Sequence, residues 1–293
     1  MKQGLIPQTL PDFITYCKTN YPAQHYILCF WDHGYSWYPG YYVVRDETGA
    51  NGKADSLDLD KQATALSAVG GVDVIGCDQC QQAMIENCSV WAPYAKAVCA
   101  SEDTVNNTGL NNTGIVPNLQ ANPAMSVEQA ANMMGQTTTS PTDSLTYSVI
   151  QLDSRFTALE SAVNTWATDL NARMATDKSL YSTARSATQA FADTTELDLY
   201  DAAAKIAAKV NDPVIDADCA AVMTAVNNDV TFNWTNGSSK EAGAHGIAIW
   251  WPSGSLQFKL NDASIDDWAY YTTKIPFGAG NAWSTFLYHF VNG

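Results

Sequence analysis

Val72-Asp73-Val74-Ile75-Gly76-Cys77-Asp78-Gln79-Cys80-Gln81-Gln82 is the stretch on which the reading of this chain turns. Val72 to Gly76 is a short apolar, β-branched run and reads as a buried parallel strand. From Gln81 through Trp91 the spacing is helical, with Ala83, Met84, Ile85 and Cys88 at the apolar positions. Cys80 therefore falls at a turn between a strand end and a helix start, where open α/β sheets place ligands. A helix N-terminus there would favour the thiolate and lower its pKa. A second stretch, Tyr26-Ile27-Leu28-Cys29-Phe30-Trp31-Asp32-His33-Gly34, reads as another buried strand and ends in His-Gly. Neighbouring parallel strands would deliver His33 and Cys80 to one edge of the sheet. The 47 positions from His33 to Cys80 leave room for a loop and one helix, as a βαβ unit requires.

Composition sets the outer bounds. The chain has 293 residues and 46% apolar content, enough for a sizeable core. Thirty acidic against fifteen basic side chains give a net charge of −15. That argues against nucleic acid as a partner, since phosphate binding needs basic patches, and it attracts cationic substrates. There is no run of roughly 18 apolar residues, so no membrane span is expected. Met1 to Leu10 contains Pro7 and no apolar core, so no signal peptide is visible. The seven cysteines, an odd number lying partly in apolar runs, do not form a disulfide framework. Asn-x-Ser/Thr sequences at Asn87, Asn106, Asn111, Asn233 and Asn236 tilt the expectation towards an extracellular or cell-surface location.

In chain order, Thr9 is a candidate cap for a helix with Pro11 in its first turn, running towards Asn20. A long polar loop, 35–54, follows the His33 strand, aromatic at first and then carrying Arg45 and Lys53. A helix over 58–68 leads to the Cys80 strand. Further strands are expected over 94–100 and 145–152, and a loop over 104–123. Ser126 is a candidate helix cap. From Asp153 to about Val226 the pattern is helical, with breaks near Thr176, Thr194 and Pro213. Ala244 to Pro252 reads as the last strong strand, and 282–291 as a final helix. Strands alternating with helices argue for α/β layers around a mainly parallel sheet.

The chain resembles the clostripain family of cysteine peptidases, in the caspase-like clan with gingipain and legumain. The pieces that carry the resemblance are Leu10 to Pro22, Trp31-Asp32-His33-Gly34, Gly76-Cys77-Asp78-Gln79-Cys80, Ser101-Glu102-Asp103, Asp198-Leu199-Tyr200-Asp201 and Gly246 to Pro252. They occur in order over nearly the whole chain. The caspase pattern likewise has its His about 50 residues before the Cys. The resemblance implies one caspase-like three-layer α/β/α domain over 1–293, with a His33–Cys80 dyad. It also implies preference for Arg or Lys before the scissile bond, with Asp78 at the floor of that pocket. Peptide or protein substrates are the expected partners, no cofactor is required, and calcium is admitted by family resemblance. Gln79 stands where the family pattern has a small residue, which would narrow the pocket. The family also carries early sheet strands before the Leu10 helix, so the resemblance implies an N-terminally incomplete domain with one flank of its sheet uncovered.

The chemistry fits those roles. Amide hydrolysis by a thiol needs an activated Cys80 and a group such as His33 to take its proton and protonate the leaving amine. The backbone N–H groups of Gly34 and Cys80 are candidate oxyanion donors, and Gly34 would let substrate approach closely. Glu102 and Asp103 are candidates for added negative charge at the pocket; Asp78 alternatively caps the following helix. Arg45 and Lys53 are candidate self-cleavage positions. Cys77-x-x-Cys80 also fits a redox pair, though Cys77 continues the strand alternation into the core and His33 would have no part in that chemistry. A zinc site lacks a second ligand pair. A catalytically weak relative that binds peptides or pairs with another chain is the competing reading.

Overall fold

The computed structural model describes residues 6–39, 45–46, 55–106, 108–139, 146–257 and 266–293. The elements in the first half are α1 (Ile6–Asn20), β1 (Ile27–Trp31), β2 (Arg45–Asp46), β3 (Asp55–Ser56), α2 (Leu59–Ala68), β4 (Val74–Asp78), α3 (Ile85–Trp91), β5 (Ala97–Ala100), α4 (Asn112–Ala121), α5 (Val127–Thr138) and β6 (Thr146–Gln151). The second half contains α6 (Ser154–Ala172), α7 (Met174–Ala187), β7 (Glu196–Asp198), α8 (Leu199–Val210), α9 (Pro213–Asp229), β8 (Val230–Thr235), β9 (Ala248–Trp250), α10 (Asp267–Lys274), α11 (Pro276–Gly280) and α12 (Ala282–Asn292).

The central sheet has the order β1-β4-β5-β6-β8. β1, β4 and β5 are parallel; β6 runs antiparallel to both β5 and β8. The sheet is thus mixed, and its parallel part is the three strands that carry the candidate site. One face packs on α4 and α5 through Val74, Cys99, Ile115, Ala131, Met134 and Val149. The other face holds the larger core, which runs from Ile14 of α1 to Phe290 of α12 and contains Ile75, Cys77, Trp166, Trp250 and Trp251. Helices cover both faces, as the three-layer expectation required.

Several local expectations shift for identifiable reasons. α1 begins at Ile6, so Pro11 lies inside the helix and Thr9 is not its cap. α3 begins only at Ile85, because Gln81 N–H goes to the Asp103 carbonyl (3.0 Å) and Ala83 N–H to Ser101 (2.9 Å). Those bonds hold residues 81–83 against the chain after β5 and delay the helical turn. α4 falls in the segment expected to be loop. It buries only Ile115 and contains Pro117, so it carries no apolar stripe to read; Asn111 caps it through Gly114 N–H. Ser126 does cap α5, in a reciprocal arrangement with Gln129. β9 does not extend the central sheet but pairs antiparallel with β7. Finally, β1 is an edge strand among the described residues, buried on only one of its faces, with Cys29 and Trp31 exposed.

Candidate active site

The β1–β4 register decides how the site is assembled. Ile27 pairs with Val74 and Trp31 with Asp78, an offset of 47. His33 and Cys80 have the same offset and each lies two residues beyond its strand, so the two loops leave the sheet side by side. A cleft of about 270 Å³ opens there, lined by Trp31, Asp32, His33, Asp78, Gln79, Cys80, Val105 and Asn106. His33 is exposed and Cys80 partly buried at its walls.

Gly34 holds the loops together. It is buried, and a Cβ on it would run into the Cys80 carbonyl oxygen and come within 2.8 Å of Cys80 N. Its missing side chain therefore serves the approach of Cys80 backbone rather than the approach of substrate. Gln79 adds a second tie. It is turned into the protein, 1% exposed, and its amide donates to the His33 carbonyl (2.9 Å). Asp32 accepts from His33 N–H at 2.6 Å and fixes the start of that loop.

Cys80 Sγ lies against Val105, accepting from its N–H at 3.3 Å and facing its carbonyl at 3.8 Å. Burial pushes the thiol pKa up, the Val105 N–H opposes this, and the charges of Asp103 and Asp78 push it further up. The expectation of a thiolate favoured by a helix N-terminus is corrected: four residues separate Cys80 from α3, and burial pushes the thiol pKa up, not down. Cys77 is fully buried in the larger core, and burial raises its thiol pKa well above the ordinary value. It does not line the cleft, which leaves a Cys77–Cys80 redox pair without geometry. The cysteines are all free.

Asp78 lines the cleft and accepts from Leu110 N–H at 2.9 Å. Gly109, with φ +57°, makes that bond possible, since a Cβ there would collide with the Asp78 carboxylate. Burial raises the Asp78 pKa. Asp78 caps no helix: the N-cap of α3 is Met84. Glu102 does not reach the cleft. It is fully buried, accepts from Gly246 N–H (2.8 Å), and its pKa is driven up by burial and by the neighbouring Asp198. Asp103 lies behind the cleft, accepting from Ala192 N–H at 3.1 Å, and acts on Cys80 through its charge.

Trp250 and Trp251 are core residues, packed on Trp37 and Tyr271 and on Trp283 and Phe290 respectively. They form no cleft wall. The early part of the 35–54 loop is also packed, with Trp37 and Tyr38 almost wholly buried. Arg45 opens β2 and pairs with Ser56 of β3. Lys53 lies outside the described residues. Among the described residues no group of three or more His, Cys, Asp or Glu side chains is arranged to hold a metal ion. No helix of the described residues is long and apolar enough to cross a membrane.

Sequence reading missed Asp32, Val105, Asn106 and the Gly109-Leu110 pair that holds Asp78. Gly109, in a run of Asn and Thr, was the available signal for a special backbone beside a functional group. It also missed that Ser36 (φ 54°) and Gln81 (φ 57°) are held in the left-handed region, three residues after His33 and one after Cys80. Such conformations cost about 1–3 kcal/mol each and persist only where the surroundings enforce them.

Comparison with solved structures gives the same architecture. A secreted C11 cysteine protease from Bacteroides thetaiotaomicron, in complex with an irreversible peptide inhibitor, superposes with a TM-score of 0.68 at 18% identity, covering 95% of this chain and 78% of that one. An inactive zymogen C11 protease from Parabacteroides distasonis gives 0.62 at 18% identity, over 84% and 69%. A second structure of a secreted C11 protease from Bacteroides thetaiotaomicron, iotapain, gives 0.61 at 17%, over 84% and 72%. No individually curated protein matches. The sequence profile of the clostripain family matches residues 6–290, nearly the full length, and the chain therefore belongs to the clostripain family of cysteine peptidases.

Proposed function

We propose that this cysteine peptidase is an endopeptidase that hydrolyses peptide bonds after Arg or Lys, with His33 and Cys80 as its dyad. The observation that carries the reading is the one cleft shared by His33, Cys80 and Asp78 at the ends of two parallel strands. His33 takes the proton from Cys80 as Sγ bonds to the scissile carbonyl carbon. The oxyanion is met by the backbone N–H groups of Gly34 and Cys80, which the close packing of the two loops brings together. The C–N bond then breaks, the leaving amine takes the proton from His33, and water hydrolyses the thioester. Asp78 receives the substrate guanidinium or ammonium in a charge-assisted contact. Its charge is one of those holding the thiol protonated, so a cation bound to it also eases deprotonation of Cys80. Asp103 adds charge from behind the cleft, whereas Glu102 is given no contact with substrate.

Self-cleavage in the 35–54 loop, at Arg45 or Lys53, belongs to the same reading. A cut after Arg45 requires the β2–β3 pairing to open first. An extracellular or cell-surface location fits the secreted relatives. The competing reading, a catalytically weak relative that binds peptides or pairs with another chain, is favoured by the exposed edge of β1 and by the raised thiol pKa.

The test is hydrolysis of otherwise identical fluorogenic peptides ending in Arg, Lys or a neutral residue, with Cys80→Ala as control and intact-mass analysis of both chains. Arg and Lys peptides are expected to be cleaved and Cys80→Ala to be inactive and uncut. Preference for neutral residues would overturn the role of Asp78. Hydrolysis by Cys80→Ala would remove the nucleophile, and a wild-type chain inactive on all three would favour the weak relative.

A further inference from the structure

Glu196 is a buried carboxylate that the chemistry above does not use. It sits in β7, whose backbone is paired with β9, opposite Trp250. Its Oε2 accepts from the Gln81 side-chain amide at 2.7 Å, with both residues buried. The Ser36 hydroxyl lies beside the same carboxylate and helps to hold its charge, without the geometry of a full hydrogen bond. Glu196 Oε1 has no other partner.

Ser36 and Gln81 are two of only three non-glycine residues with positive φ among those described; the third, Asn211, ends a helix far along the chain. One follows His33 and the other follows Cys80. Left-handed backbone at such residues needs an external hold. On the Cys80 side that hold has two parts, the backbone bond from Gln81 N–H to Asp103 and the side-chain bond to Glu196. A burial-driven rise in its pKa, offset by Ser36 and Gln81, matches a carboxyl enclosed by these two turns.

We propose that Glu196 is a positioning residue for the peptidase reaction: through Gln81 it locks the Cys80 turn in place opposite the His33 loop, whose Ser36 lies beside the same carboxylate. It touches neither thiol nor imidazole and acts on the orientation of Cys80 Sγ and the Cys80 N–H. The inference rests on the reading of His33 and Cys80 as the dyad. It differs from the Gly34 and Gln79 contacts, which join the two loops to each other, because it ties the Cys80 turn to the β7–β9 platform.

The deciding variant is Gln81→Gly. Glycine accepts positive φ without strain, so the fold is retained and only the side-chain tether is lost. The expected result is a kcat reduced about 10- to 100-fold with KM and melting temperature nearly unchanged, since small misplacements at a reacting centre cost that much. Glu196→Ala should give a similar kcat loss, and the double variant should be no slower than either single one. Glu196→Gln, whose amide oxygen still accepts from Gln81, should restore most of the rate. Wild-type kcat in Gln81→Gly, or additive losses in the double variant, would overturn the tether while leaving the dyad intact. Full activity in Cys80→Ala would instead overturn the dyad, so the two failures are distinguishable.

Discussion

Strands β1 and β4 are parallel neighbours of five residues each, and they end two residues before His33 and Cys80, the proposed dyad. β4 is buried on both faces from Val74 to Cys77. β1 is not: Leu28 and Phe30 face the core, while Cys29 is exposed and Trp31 is 77% exposed. α1 above it also leaves Phe13 and Tyr16 in solvent, each more than half exposed. Among the described residues, the Cys80 turn is therefore built on a strand with neighbours on either side, and the His33 loop on a strand with one. The His33 loop is held both by the Gly34 and Gln79 contacts with the Cys80 side and by the burial of Trp37 against Trp250 and Tyr271. The difference teaches that the register of this site is determined from the centre of the sheet outwards.

The largest expected consequence separates the two strands directly. Ile75→Ala removes a fully buried side chain from β4 and should cost about 2–5 kcal/mol of stability. Trp31→Ser on β1 should cost within about 0.5 kcal/mol, because the ring is mostly in water. Denaturant midpoints of the two variants measure this. Equal losses would mean that the outer face of β1 is covered in solution and would break the comparison.

Next in size is Gly34→Ala. The added methyl meets Cys80 backbone, which sits on the better-anchored strand, so the His33 loop must give way. A displacement of about 1 Å lowers kcat/KM roughly 100-fold. Because β1 is an edge, the melting temperature should fall little. Steady-state kinetics beside a thermal scan checks both parts, and a large stability loss with proportionate activity would show the His33 loop to be as firmly held as the Cys80 turn.

A separate effect, spread over several carboxyls, concerns protons on the central side. Burial raises Glu86 in α3 and Glu160 in α6 from 4.5 to about 7, and burial, with Asp153 nearby, raises Asp229 in α9 from 3.8 to about 8. Between the ordinary and the raised values the folded chain holds more protons than the unfolded one, so stability falls as pH rises through that window. It is full below the ordinary carboxylate values and lost by about pH 8. Melting temperatures taken from about pH 5 to about pH 8 should decline steadily. A flat profile would place these groups in contact with water and weaken the picture of a dry centre beside a wet edge.

Much of this was written in the chain. The β-branched run before Gly76 made β4 legible, and the 47 positions from His33 to Cys80 equal the strand register. Cys77 was assigned to the core by alternation alone, and Ser126 announced its helix. Residues whose role is set by a distant partner were not legible. Glu102 looked like pocket charge from its place beside Asp103, but Gly246 and Asp198 claim it. Trp250 and Trp251 offered a cleft wall and instead fill the core. β1 read as buried because all five of its residues are apolar, and periodicity does not say how many neighbours a strand will have.

The sequence by itself determined the strand-loop ends at His33 and Cys80 and their common register, because these depend on local periodicity and on chain length between two strands. Only the tertiary structure decided that the Cys80 thiol lies against Val105 with its pKa pushed up by burial and that Gly34 packs on Cys80 backbone. It alone brought Glu196, 116 positions beyond Cys80, against the turn that follows Cys80. Burial, charge and hydrogen-bond geometry are properties of neighbours in space, and for these residues the neighbours come from strands and loops that the chain reaches only after folding.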